Sequence, residues 1–205
     1  MNISMKKKCI VIVLCSIIFI ILIRLLLIFG FFYLFFSDSS IEVNTDINKY
    51  NNYIGDTAYK EYFDKWGMNE EIFPSIIKSN MNVLDYKMVY YNPWDAQYLS
   101  YLVVEYNEED YIKEIERLRG YDSTRYLGYY GVDGFDKYAL IAMEADSYNG
   151  FIYALTDGKS KVIYVELIFC NYQYDFDYSE YIDNDYLPIG LDARENNKYQ
   201  KENLN

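Results

Sequence analysis

CIVIVLCSIIFIILIRLLLIFGFFYLFF, Cys9 to Phe36, follows Lys6, Lys7 and Lys8 and decides where the rest of the chain belongs. A helix rises about 1.5 Å per residue and the hydrocarbon core of a bilayer is roughly 30 Å thick, so about 20 apolar residues span it. This run has 28. Inside lipid the backbone must satisfy its own hydrogen bonds, and a helix does so. A cleaved signal peptide carries a shorter apolar region, about 7–15 residues, before a small-x-small site. Ser37 and Ser39 offer only a weak version of that site. The length predicts an uncleaved transmembrane signal anchor over 9–36, with the lipid bilayer as its partner.

Charge sets the expected orientation. The N-terminal flank, 1–8, carries three lysines and no acid, whereas Asp38, Glu42 and Asp46 precede the first lysine beyond the run, Lys49. Positive flanks stay cytoplasmic. The expectation is a cell-membrane protein with a cytoplasmic N-terminus and an extracytoplasmic remainder. Arg24 interrupts the run. A guanidinium at the bilayer centre costs about 2.5–3.5 kcal/mol on insertion scales. Either the helix shifts so that Arg24 snorkels to an interface, or a partner helix supplies an acid, in which case the chain is an accessory subunit of a membrane complex.

Beyond the anchor the chain changes character. Four of its 19 basic residues and none of its 31 acidic ones lie in the first 36 positions, which leaves 15 against 31, or −16, for the remainder. Phosphate backbones repel such a surface, so nucleic acid is not an expected partner; cationic ligands, divalent metals or basic protein faces suit it better, and a membrane or surface protein is the kind of protein partner expected. Of the 26 tyrosines, many fall within strand-like runs, where aromatic side chains pack well, but the enrichment is too diffuse to locate a site. Abundant Asn, Ile, Lys and Asp fit AT-rich codon usage. Cys9 and Cys15 lie in the apolar run, and Cys170 is the one cysteine beyond it, which excludes an internal disulfide there.

Read in order, 37–56 is polar and predicts a tether. Residues 57–191 predict an α+β domain, and 192–205 a polar tail. Helices are expected over 56–66, 107–119 and from Asp177, where Asp-x-x-Glu resembles a capping box. Asn107, an acidic first turn and basic residues at the far end make 107–119 the clearest of them. Alternation or continuous apolarity predicts strands at 83–91, 98–106, 138–144, 151–156 and 161–169. Helix, hairpin, helix, meander and helix together imply an antiparallel sheet of about five strands with about three helices.

The chain has no histidine, which removes Ser-His-Asp and Cys-His nucleophile systems and most catalytic zinc sites. Phosphate-binding glycine motifs are missing, and no cofactor is implied. Ser75-Ile76-Ile77-Lys78 matches the S-x-x-K pattern of penicillin-binding proteins and class A β-lactamases, where Lys one helical turn after Ser takes the hydroxyl proton. The companion K-T-G is absent, since Lys159-Ser160-Lys161 lacks the glycine. A Ser-Lys hydrolase using Ser75 and Lys78 is therefore the enzymatic alternative to a non-catalytic reading. Asp175, Asp177 and Glu180 could offer oxygens to calcium but miss the EF-hand spacing. The sequence expectation is a membrane-anchored extracytoplasmic binding module without a catalytic set.

Overall fold

The computed structural model describes residues 3–36, 40–93, 95–168 and 177–192, with side chains from 12 to 32 in the first helix. Two compact units divide the chain, Met1–Ser39 and Ser40–Asn205.

The first unit is one helix, α1 (Ile3–Phe36). Its stretch Ile12–Phe32 is long and apolar enough to cross a membrane, a test that a signal sequence also passes. Apolar side chains point outward on all its sides, and every residue from 12 to 32 is exposed. A soluble surface helix would show a single apolar stripe.

The second unit is built on a six-stranded antiparallel sheet with strands β1 (Glu42–Asn44), β2 (Asn82–Tyr91), β3 (Gln97–Glu105), β4 (Ala139–Asp146), β5 (Gly150–Thr156) and β6 (Lys161–Ile168). The spatial order is β1-β2-β3-β6-β5-β4. The β2–β3 hairpin and the β4–β5–β6 meander meet where β3 pairs with β6, from Tyr98 opposite Ile168 to Glu105 opposite Lys161. Among the described residues two further α-helices form, the single-turn α2 (Lys60–Phe63) and α3 (Glu108–Arg119).

Both faces of the sheet are covered. One carries Met88, Leu102, Ala154 and Tyr164 beneath α3 and the segment from Ile47 to Met81. The other carries Leu99, Tyr153, Val165 and Leu167 beneath Tyr130, Val132 and Ile182. Doubly covered strands lose their polar alternation, and β5 is buried along its whole length. Tyrosines serve as staples here. Tyr50 donates to the Pro74 carbonyl at 2.6 Å, Tyr98 to that of Glu61 at 2.6 Å, and Tyr153 to that of Tyr186 at 2.8 Å. A buried tyrosine packs its ring against the sheet and satisfies its hydroxyl on the loop above.

The five expected strands and α3 form. In α3 the Asn107 side chain accepts from the Asp110 amide at 3.0 Å. Three other stretches differ from expectation. Residues 42–54, expected to be tether, belong to the sheet and its cover: β1 pairs with Met88–Tyr90, and Tyr50, Tyr53 and Ile54 are buried. The strand is too short to show a period, and its partner lies more than 40 residues away. The helix expected over 56–66 shrinks to α2 because Lys65 and Trp66 adopt left-handed backbone, φ 35° and 60°, which ends it. From Asp177, two 3-10 turns (Tyr178–Glu180 and Asn184–Tyr186) replace the expected helix, each started afresh by an aspartate, Asp177 and Asp183. Phe169, Cys170 and Asp175 lie outside the described residues.

The sheet edge at β4 is closed by local chain. Thr124 donates its amide to the Met143 carbonyl at 2.9 Å, and the Met143 amide reaches the Ser123 hydroxyl at 3.1 Å. This satisfies part of an outer row that would otherwise template another strand.

Candidate functional site

Glu166 is the one acid inside the apolar strand β6. On the sheet face that α3 covers, Glu166 stands opposite Ser100 on β3 and Ile152 on β5. The Ser100 hydroxyl donates to its Oε1 at 2.6 Å. Lys65 completes the arrangement from the loop above. Its Nζ lies 2.9 Å from both Oε1 and Oε2 of Glu166 and also donates to Glu70. Lys65 is 2 % exposed and Glu166 0 %. The Lys65 ammonium also sits 5.6 Å from the centre of the Tyr98 ring. Left-handed backbone at Lys65 turns this side chain inward while Trp66 stays outside, its indole N–H bonded to the Ala96 carbonyl at 2.9 Å.

One cation between two carboxylates leaves the buried group short of positive charge. Burial pushes the Glu166 carboxyl up to about 7, and Glu70 adds to the rise, against the downward pull of Lys65 and Ser100. Serine, lysine and glutamate here have the parts of nucleophile chemistry, but Ser100 is fully buried, out of reach of a substrate, with its hydroxyl hydrogen-bonded to Glu166. Their arrangement holds a loop in place.

Glu70 connects this group to the surface. Its second oxygen accepts from the Gly55 amide at 2.9 Å, and its side chain lines an open cleft of about 480 Å³. Ligand sites commonly fall between about 300 and 1,000 Å³. The apolar lining includes Met68, Phe73 and Met81, together with Phe63 and Ile76, which are 61 % and 53 % exposed. Arg117 of α3 clamps one wall. Its guanidinium donates to the carbonyls of Glu71 at 2.7 Å and Ile72 at 2.8 Å, and pairs with Glu114 at 2.5 Å. Glu114 in turn accepts from the buried Tyr164 hydroxyl at 2.7 Å. The cleft therefore rests on the sheet through two polar chains, the buried one through Lys65 and a partly exposed one through Arg117 and Glu114.

Ser75 and Lys78 also line this cleft. Ser75 lies on a bend and Lys78 in a stretch without regular structure, not on one turn of helix. Among the described residues no hydrogen bond joins the Ser75 hydroxyl to the Lys78 amine; the Ser75 carbonyl accepts from Asn51 at 2.9 Å. The spacing that S-x-x-K chemistry takes from a helix is not formed. Asp177 is committed to capping, accepting from the Ser179 amide at 3.0 Å and its hydroxyl at 2.6 Å, and Glu180 is exposed. No group of three or more acidic, cysteine or histidine side chains positioned to hold a metal occurs among the described residues. Lys6, Lys7 and Lys8 lie in the early turns of α1, outside its described side chains. Arg24 lies within the apolar stretch, roughly 12 Å along the axis from Phe32 at 1.5 Å per residue.

No family model matches this chain, and neither a curated protein nor a solved structure does. Its function is read from its own geometry. Lys65, Glu70, Ser100 and Glu166 were not among the sequence candidates. The signal for Glu166 was present, as a single acid amid VIYVELI. Nothing local to Lys65 distinguished it from a surface lysine.

Proposed function

We propose that this chain is a membrane-anchored, extracytoplasmic binding module that takes its ligand in the cleft beside Phe63 and Ile76. One observation carries the reading. Two large apolar side chains stand more than half exposed in a cleft whose backing is held by buried ion pairs. Exposed apolar side chains in a firmly backed concavity are the usual form of a binding site. The apolar helix and its lysine flank support the anchoring and orientation. No step of chemistry is assigned.

Saturation-transfer NMR of a fragment library tests the cleft, with the full chain held in nanodiscs. The reading expects fragments that compete for one site and lose their signal in Phe63→Ser/Ile76→Ser. Fragments indifferent to that pair of changes, or no hits, would overturn it.

Arg24 favours a second reading, an accessory subunit held in the membrane by an acidic partner helix. It expects Arg24→Leu to abolish co-purification of a partner, and unchanged recovery would contradict it.

A further inference from the structure

We infer that the occupant of the cleft is a cationic amphipathic protein segment, an apolar side chain flanked by lysine or arginine. The inference rests on the binding reading above and adds the chemistry of the partner. Four acids line the cleft, Asp56, Glu70, Glu71 and Glu114, with two cations, Lys78 and Arg117. Glu70 is committed to Lys65 and the Gly55 amide, and Glu114 to Arg117 and Tyr164. That leaves Asp56 and Glu71, both exposed and outside any ion pair among the described residues, against Lys78 as the one cation of the lining also outside such a pair.

The surroundings point the same way. Beyond position 36 the chain carries 15 basic against 31 acidic residues. A field of that sign raises the local concentration of cations and speeds their encounter, while an anionic partner is repelled. The apolar half of the recognition is equally specific in kind. Phe63 and Ile76 present surface that stays in water until a partner covers it. Met68 and Met81 line the same cleft, and methionine reshapes itself around aliphatic side chains of differing form. An apolar anchor in the cleft with a cation toward Asp56 and Glu71 satisfies both halves. A purely charged ligand leaves Phe63 and Ile76 in water, and a purely apolar one leaves the acids unused.

Three short matched peptides test this, built of leucine with lysine, leucine with serine, and leucine with glutamate. Fluorescence anisotropy would follow their binding to the full chain in nanodiscs of zwitterionic lipid, with empty nanodiscs as the blank. The leucine–lysine peptide is expected to bind at least about tenfold more tightly than the serine peptide, the glutamate peptide least. Phe63→Ser/Ile76→Ser should weaken the lysine peptide by about tenfold or more, and an Ile112→Ser/Leu127→Ser control, altering exposed apolar residues outside the cleft, should not. Asp56→Asn/Glu71→Gln should bring the lysine peptide down to the serine one. If the serine or glutamate peptide binds as tightly and still depends on Phe63 and Ile76, the cationic inference fails while the binding reading stands. Lysine-peptide binding that ignores Phe63 and Ile76, or no binding by any peptide, overturns the inference.

Discussion

Lys65 and Glu166, 101 positions apart in sequence, meet in the core with the lysine Nζ 2.9 Å from both carboxylate oxygens, and neither residue reaches solvent. This contact ties the irregular segment after α2 to the central strand β6. Removing one partner leaves a buried charge without compensation, which typically costs about 3–5 kcal/mol. Lys65→Met should lower the stability of the full chain by about that amount in chemical denaturation. Adding Glu166→Leu should recover part of the loss. A loss under about 1 kcal/mol would show that the pair is solvated in practice.

The same carboxylate makes stability depend on pH. Its folded value, about 7, lies above the ordinary 4.5 because burial disfavours the anion. A group raised on folding contributes stability that is complete below its unfolded value and is lost as pH rises through the folded one. Between about pH 4.5 and 7, wild type should therefore lose stability relative to Glu166→Gln, by up to roughly 3 kcal/mol. Melting temperatures of the two proteins across that range check it. Parallel curves would contradict it.

Gly190 and Gly158 separate steric from conformational cost. Both have left-handed backbone, φ 79° and 74°. A Cβ at Gly190 would stand 2.4 Å from the Gly131 carbonyl oxygen, whereas one at Gly158 meets open space. Gly158→Ala should cost only the backbone term, about 1–2 kcal/mol. Gly190→Ala must also part the two segments joined by the Asp133 amide and the Ile189 carbonyl at 2.8 Å, and should cost clearly more. Equal losses would mean that the two backbones separate freely.

Arg117 should control the rigidity of the cleft wall. Lysine cannot reproduce the planar fork that reaches two carbonyls and Glu114 together. Arg117→Lys should speed amide exchange across 71–78 while β3, β5 and β6 keep their protection. Exchange that rises everywhere, or nowhere, would contradict a local clamp.

Much of the scaffold was legible in the sequence because its signals are local. Alternation in β2, continuous apolarity in β3 and the capped, charge-ordered α3 each follow from neighbouring residues. What escaped depends on distant partners. Glu42–Asn44 becomes a strand only because β2 offers an edge, and Lys65 turns inward only because Glu166 waits in β6. The segment 56–66 has helical spacing at Tyr59, Tyr62, Phe63 and Trp66, yet the buried ion pair overrides it. Ser75 and Lys78 have motif spacing without the helix that gives it meaning. The cleft itself, gathered from Ile54 to Arg117, had no linear signature.

The central claim is a binding domain held across the membrane from a cytoplasmic N-terminus, and cysteine labelling in intact cells tests it most directly. In a background with Cys9, Cys15 and Cys170 replaced by alanine, single cysteines go in at Ser4, beside the lysines, and at the exposed Ser179. A membrane-impermeant maleimide should label Ser179→Cys in intact cells and Ser4→Cys only after permeabilisation, with both proteins in the membrane fraction. Labelling of Ser4→Cys but not Ser179→Cys in intact cells, or a mature protein released without its apolar segment, would contradict the account.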